Sequence, residues 1–146
     1  MPSSTLTATA HAAVWCNLRP AFVDCLDDTL TIDPDSARRA IDDGTTAIVA
    51  VSVFGMPPDI DRLETLAHDN GLKLILDSAQ ALGAKYRDEY LGGFGDVEAF
   101  SLSPTKVITG AEGVWSPRTI TELPEQSAWG AITARAMVGR MSRWWD

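Results

Sequence analysis

The sequence predicts an α/β fold: a mostly parallel sheet with flanking helices. Three observations predict it. Residues 47–53 (Ala-Ile-Val-Ala-Val-Ser-Val) are an almost wholly apolar run of strand length, as expected of a strand buried on both faces. Residues 72–76 (Leu-Lys-Leu-Ile-Leu) form a second such run. Between them Ile60, Leu63, Leu66 and Ala67 recur on one helical face. Strand, helix, strand in that order spells a βαβ crossover, whose two strands lie parallel.

The remaining elements follow in chain order. Residues 9–15 are rich in alanine and predict a short helix, with Cys16-Asn17 as its exit. Residues 21–23 (Ala-Phe-Val) predict a brief strand ending at Asp24. Asp33-Pro34 is a helix start, an N-cap followed by proline at the first helical position, and that helix should stop near Gly44. Asp59-Ile60-Asp61 opens the next helix, and Gly71 stands where a C-cap glycine belongs. Residues 86–91 predict a small hairpin over Arg87-Asp88, and residues 97–102 a further short strand. From about Val114 the pattern is lost: arginines and tryptophans are scattered with no helical or alternating period.

At 146 residues the chain is one domain long. A net charge of −8 argues against nucleic acid, which needs a basic face, and against an anionic membrane surface. The two cysteines, Cys16 and Cys25, form no C-x-x-C and have no histidine beside them, which speaks against zinc and for buried thiols. His11 and His68 read as helix-surface or partly buried rings. No signal peptide and no membrane-spanning run is visible, so the expected location is the cytoplasm.

Two segments carry chemistry. The strand over residues 72–76 delivers Asp77 at its C-terminal end, followed by Ser78-Ala79-Gln80. The strand over residues 97–102 runs into Ser103-Pro104-Thr105-Lys106. In an open α/β sheet, ligands bind outside the carboxyl ends of the strands. An acid and a lysine presented there are the two groups pyridoxal phosphate needs: the lysine forms the Schiff base and the acid pairs with the pyridine nitrogen. Taken singly, each has a plainer reading. An aspartate at a strand end often forms a turn, and a lysine in a polar turn is usually just solvated. No Gly-x-Gly-x-x-Gly follows any strand, which sets aside a dinucleotide-binding module.

Ordered blocks carry a resemblance. They are Pro20-Ala21-Phe22-Val23-Asp24, Thr29-Leu30-Thr31-Ile32-Asp33-Pro34, Phe54-Gly55-Met56-Pro57, Asp77-Ser78-Ala79-Gln80-Ala81-Leu82-Gly83-Ala84, Gly93-Phe94-Gly95-Asp96, and Phe100-Ser101 through Lys106 to Gly110-Ala111-Glu112-Gly113. On these the chain resembles the DegT/DnrJ/EryC1/StrS aminotransferases, pyridoxal-phosphate enzymes of fold type I that mostly aminate keto-sugar nucleotides. The resemblance runs from Pro2 to Gly113 and implies the central part of the large domain of that fold.

It further implies roles. Lys106 would bond the cofactor and move the substrate proton. Asp77 would keep the pyridine nitrogen protonated, Gln80 would contact the ring's phenolic oxygen, and Ser101 would donate to the phosphate. The amino donor would be glutamate, the acceptor a nucleotide-linked keto-sugar, and the assembly a homodimer. Lys106 separates the chain from the family's dehydratase branch, which lacks that lysine. Members of the family have a phosphate-binding Ser-Gly-Thr turn ahead of the position of Pro2, and an aromatic ring where Leu6 stands. The alternative reading is a catalytically inactive truncated remnant of such an enzyme.

The expected division is a partial transferase domain over residues 1–113 and an unassigned tail over residues 114–146. The codons of Val114-Trp115-Ser116-Pro117-Arg118-Thr119-Ile120, read one nucleotide out of phase, permit Val-Val-Thr-Thr-Asp-Asp, as the family has there. Those of residues 127–134 permit Val-Arg-Met-Gly-Arg-Asp-Tyr-Gly. The tail is therefore expected to be a frameshift product.

Overall fold

The computed structural model describes residues 1–106, 108–110 and 113–116. The chain divides into two compact units, Met1–Thr5 with Ala21–Arg118 and Leu6–Pro20 with Thr119–Asp146. The described part of the second unit is the helix α1, Thr7–Trp15, and its flanks. Asn17 ends α1 at φ 58°. Leu18 N–H donates to Ala13 O and Asn17 N–H to Val14 O, the paired bonds of a Schellman cap, with asparagine in the left-handed position that usually takes glycine. Residues 117–146 lie outside the described residues, and so does most of the expected tail.

The first unit carries the rest: α2 Pro34–Ala40, β1 Ala47–Val51, a 3₁₀ turn Val53–Gly55, α3 Ile60–Asp69, β2 Lys73–Asp77, β3 Lys85–Tyr86, β4 Glu89–Tyr90, β5 Val97–Ser101 and β6 Val114–Trp115. The main sheet has the order β1-β2-β5-β6. β1, β2 and β5 run parallel, in a register that pairs Val49 with Ile75 and Asp77 with Ala99; β6 runs antiparallel to β5. β3 and β4 form the expected hairpin, with Arg87 at φ 54° in its turn. The α/β class, the mostly parallel sheet and the β1-α3-β2 crossover are as the sequence predicts.

α2 and α3 begin where an aspartate side chain satisfies a free backbone N–H. Asp33 accepts from Asp35 N–H at 2.9 Å and Asp59 from Arg62 N–H at 3.3 Å. Gly71, at φ +64°, closes α3 in a second Schellman cap, with Leu72 N–H on Ala67 O at 2.8 Å and Gly71 N–H on His68 O at 3.1 Å. α3 lays its apolar face on β1 and β2, and α2 packs on α3. The core is therefore one layer: Ile60, Leu63, Leu66 and Ala67 of α3 against Ile48, Ala50, Leu74, Leu76 and Phe100 of the sheet. Strand alternation puts those five sheet residues on one face.

Five details differ from the sequence expectation, the first being that α2 ends at Ala40 rather than near Gly44, because Ile41 is extended. Residues 21–23 form only an isolated parallel bridge between Val23 and Pro2. Pro2 has no N–H to extend a ladder. The first apolar run ends as a strand at Val51 rather than Val53, because Phe54 at φ 52° and Gly55 at φ 84° turn the chain. The short strand β6 lies where no period was legible; two residues are too few to show alternation. Neither cysteine is in a disulfide, but both are half-buried rather than buried, with Cys25 Sγ accepting from Ser4 N–H at 3.4 Å.

Candidate active site

β2 and β5 are neighbours and parallel, so their carboxyl ends emerge side by side. Alternation from the Asp77–Ala99 pair places Asp77, Ala99 and Ser101 on the sheet face away from α3, and Leu76, Glu98 and Phe100 on the face toward it. Past Asp77 the chain turns at once. Ala79 N–H donates to Asp77 Oδ1 at 3.2 Å, Ser78 N–H to Ala99 O at 2.9 Å, and Ala81 N–H to Ser78 O at 2.9 Å. This turn carries Gln80 to the 3₁₀ turn after β1, where its Oε1 accepts from Phe54 N–H at 2.9 Å.

Past Ser101 a second turn forms. Ser101 Oγ donates to Ser103 Oγ at 3.3 Å and accepts from Ser103 N–H at 3.4 Å. Lys106 N–H closes on Ser103 O at 3.0 Å. Between the two turns lies a recess of about 250 Å³. Gln80, Ser101, Thr105 and Lys106 supply its polar lining, and Phe54 and Ile108 part of its apolar wall.

Of the four residues singled out in the sequence, the structure brings Gln80, Ser101 and Lys106 to one recess. Asp77 stands at the C-terminal end of β2, half-buried, on the same sheet face as Ser101, outside the lining of the recess itself. Five lining residues escape sequence reasoning: Phe54, Ala79, Leu82, Thr105 and Ile108. Thr105 is hidden in a polar turn, with only its neighbour Lys106 as a signal. Phe54 looks like the end of an apolar strand, and only the glycine that follows it betrays a turn.

Among the described residues no group of His, Cys, Asp and Glu could hold a metal ion. Among them, too, no helix is long and apolar enough to cross a membrane.

A lysine, two hydroxyls and an amide thus meet at adjacent strand ends of an open α/β sheet, where ligands bind in such folds. Comparison with known proteins places the chain. A sequence model of the DegT/DnrJ/EryC1/StrS aminotransferase family matches residues 1–114, and the chain belongs to that family. It is 41% identical over 113 residues to an L-glutamine:2-deoxy-scyllo-inosose aminotransferase of Streptomyces kanamyceticus, a match covering 77% of this chain and 26% of that one.

Two solved structures share the fold. The structure of DesI with its TDP-sugar product superposes with a TM-score of 0.77 at 39% identity, covering 81% of this chain and 31% of that one. The E. coli GDP-4-keto-6-deoxy-D-mannose-3-dehydratase with bound hydrated PLP superposes with a TM-score of 0.72 at 28% identity, covering 81% and 31%. The chain thus spans between a quarter and a third of the length of these relatives.

Proposed function

We propose that the chain is part of a pyridoxal-phosphate-dependent aminotransferase that moves an amino group from glutamate to a nucleotide-linked keto-sugar. The observation that carries the reading is the convergence of Lys106, Ser101 and Gln80 on one recess at the carboxyl ends of adjacent parallel strands. The lining fits the group: a primary amine for a carbonyl, hydroxyls for a phosphate, an amide for a phenolic oxygen and apolar walls for a small ring.

Each residue then has a task. Lys106 would hold the cofactor through its amine, and that amine would be the base that moves the substrate proton. Asp77, on the same sheet face as Ser101, would pair with the ring nitrogen. Gln80 has its carbonyl oxygen engaged by Phe54 N–H, which leaves its amide N–H groups to donate to the ring's phenolic oxygen. Ser101, with Thr105 beside it, donates to the phosphate. Bound there, the cofactor would supply an electron sink and a carrier for the amino group passed from donor to acceptor.

Sugar-nucleotide acceptors are supported by the TDP-sugar and GDP-sugar named with the two solved structures. Glutamine is a second donor reading, supported by the name of the Streptomyces kanamyceticus relative. A cytoplasmic homodimer completes the reading. Lys106 favours amination over the dehydratase chemistry named for the E. coli neighbour.

The test is visible absorbance of the purified chain with pyridoxal phosphate, followed by borohydride reduction and peptide mapping. The expected result is a label fixed at Lys106 well above Lys73 and Lys85. A label spread evenly over the three lysines, or none, overturns the reading and leaves the inactive remnant in its place.

A further inference from the structure

Glu98 sits in β5 on the sheet face opposite Asp77, and it is wholly buried among Leu76, Phe100 and the core. A buried carboxyl is costly unless its oxygens are hydrogen-bonded. Both are: Oε1 accepts from Ser78 Oγ at 2.7 Å, and Oε2 from Gly92 N–H at 2.7 Å and Phe94 N–H at 3.4 Å. A hydrocarbon would fill this place without needing three donors aimed at it.

The donors show what the group connects. Ser78 is itself fully buried and lies in sequence between Asp77 and Ala79, at the root of the turn that carries Gln80. Its Oγ is also 3.4 Å from Ser52 Oγ, at the end of β1. Gly92 and Phe94 belong to the loop that leads into β5. One side chain therefore ties the exit of β2 to the entry of β5.

We propose that Glu98 is a positioning residue for the candidate site: by holding Ser78 it fixes the Asp77–Gln80 turn, which carries two of the four groups assigned to the cofactor. The proposal rests on the pyridoxal-phosphate reading above. Glu98 touches neither the recess nor any reacting atom and acts only through Ser78.

The test compares Glu98→Gln and Ser78→Ala in the full chain, with Ile48→Val as a control that loosens the core without touching the turn. The first readout is amide hydrogen exchange without cofactor. Exchange at Ala79 and Ala81 should quicken by about tenfold in both variants, the scale of one lost hydrogen bond, with β1 amides at the wild-type rate. The second is the pyridoxal phosphate concentration that half-saturates labelling of Lys106, which should rise by about tenfold in both variants and stay put in Ile48→Val. If Glu98→Gln does not fold, Ser78→Ala carries the test alone, since it keeps the carboxyl on Gly92 and Phe94. Unchanged turn exchange overturns the proposal. So does faster exchange with wild-type labelling of Lys106. A wild-type chain that never labels Lys106 fails the parent reading and this proposal with it; a wild type that labels, with variants that behave like it, fails this proposal alone.

Discussion

Phe54 holds a backbone conformation that an L-residue with a bulky side chain rarely adopts, φ 52°, with its side chain 82% exposed. Left-handed φ costs an L-residue about 1–2 kcal/mol, so the surroundings must offset it. The offset is local: Phe54 N–H donates to Gln80 Oε1, and Gly55, at φ 84°, lets the turn pass with its Cβ position 3.5 Å from Gln80 O. The turn and the amide hold each other. Gly55→Ala should therefore destabilise the chain by about 1–2 kcal/mol, read as a lower urea midpoint at unchanged slope. Gln80→Ala should behave differently. It removes an exposed side chain and one hydrogen bond, so the midpoint should move by less than about 1.5 kcal/mol, while labelling of Lys106 by pyridoxal phosphate falls. Equal labelling in Gln80→Ala and wild type would remove Gln80 from the site.

At the scale of elements, two left-handed glycines make a matched pair. Gly71 caps α3 with open space where a Cβ would point, whereas a Cβ on Gly95 would lie 2.9 Å from Leu74 O, the backbone of β2. Gly71→Ala should cost about 1 kcal/mol from conformation alone. Gly95→Ala adds a clash with a strand that cannot move without disturbing the Asp96–Leu74 bonds at 2.8 and 2.9 Å. Thermal melts of the two variants should rank Gly95→Ala clearly lower, and equal midpoints would contradict the close approach.

The same elements explain what could be read in advance. α3 was legible because its period, its Asp59 cap and its Gly71 exit all agree. Asp77 and Lys106 were legible because strand ends and polar turns are visible in one sequence. The Gln80–Phe54 bond was not, because its partners lie 26 residues apart. Glu98 stayed hidden for a related reason: inside Val97-Glu98-Ala99-Phe100 it looks like the polar side of a half-exposed strand, and only the fold shows it buried beside Phe100.

At the scale of the molecule, the family match ends at residue 114, where the readable pattern also ends. β6 pairs Val114 with Ser101 and Trp115 with Phe100, so the polypeptide does return antiparallel along β5. A strand there should prefer β-branched residues and avoid proline, which cannot donate to a ladder. The sequence as read continues Val-Trp-Ser-Pro. The reading one nucleotide out of phase continues Val-Val-Thr-Thr, which is β-branched throughout and free of proline. β6 itself, Val114–Trp115, suits either frame, and it is the resemblance that favours the alternative one. The expected result from the coding DNA is that this frame, entered near Gly113, runs on through Val-Val-Thr-Thr-Asp-Asp and later Val-Arg-Met-Gly-Arg-Asp-Tyr-Gly without a stop codon. A chain expressed from the re-framed gene should then label Lys106 at lower pyridoxal phosphate than the present chain does. A stop codon soon after Gly113 in the shifted frame, or a continuation unlike the family, would sink the frameshift and leave residues 114–146 as the native sequence.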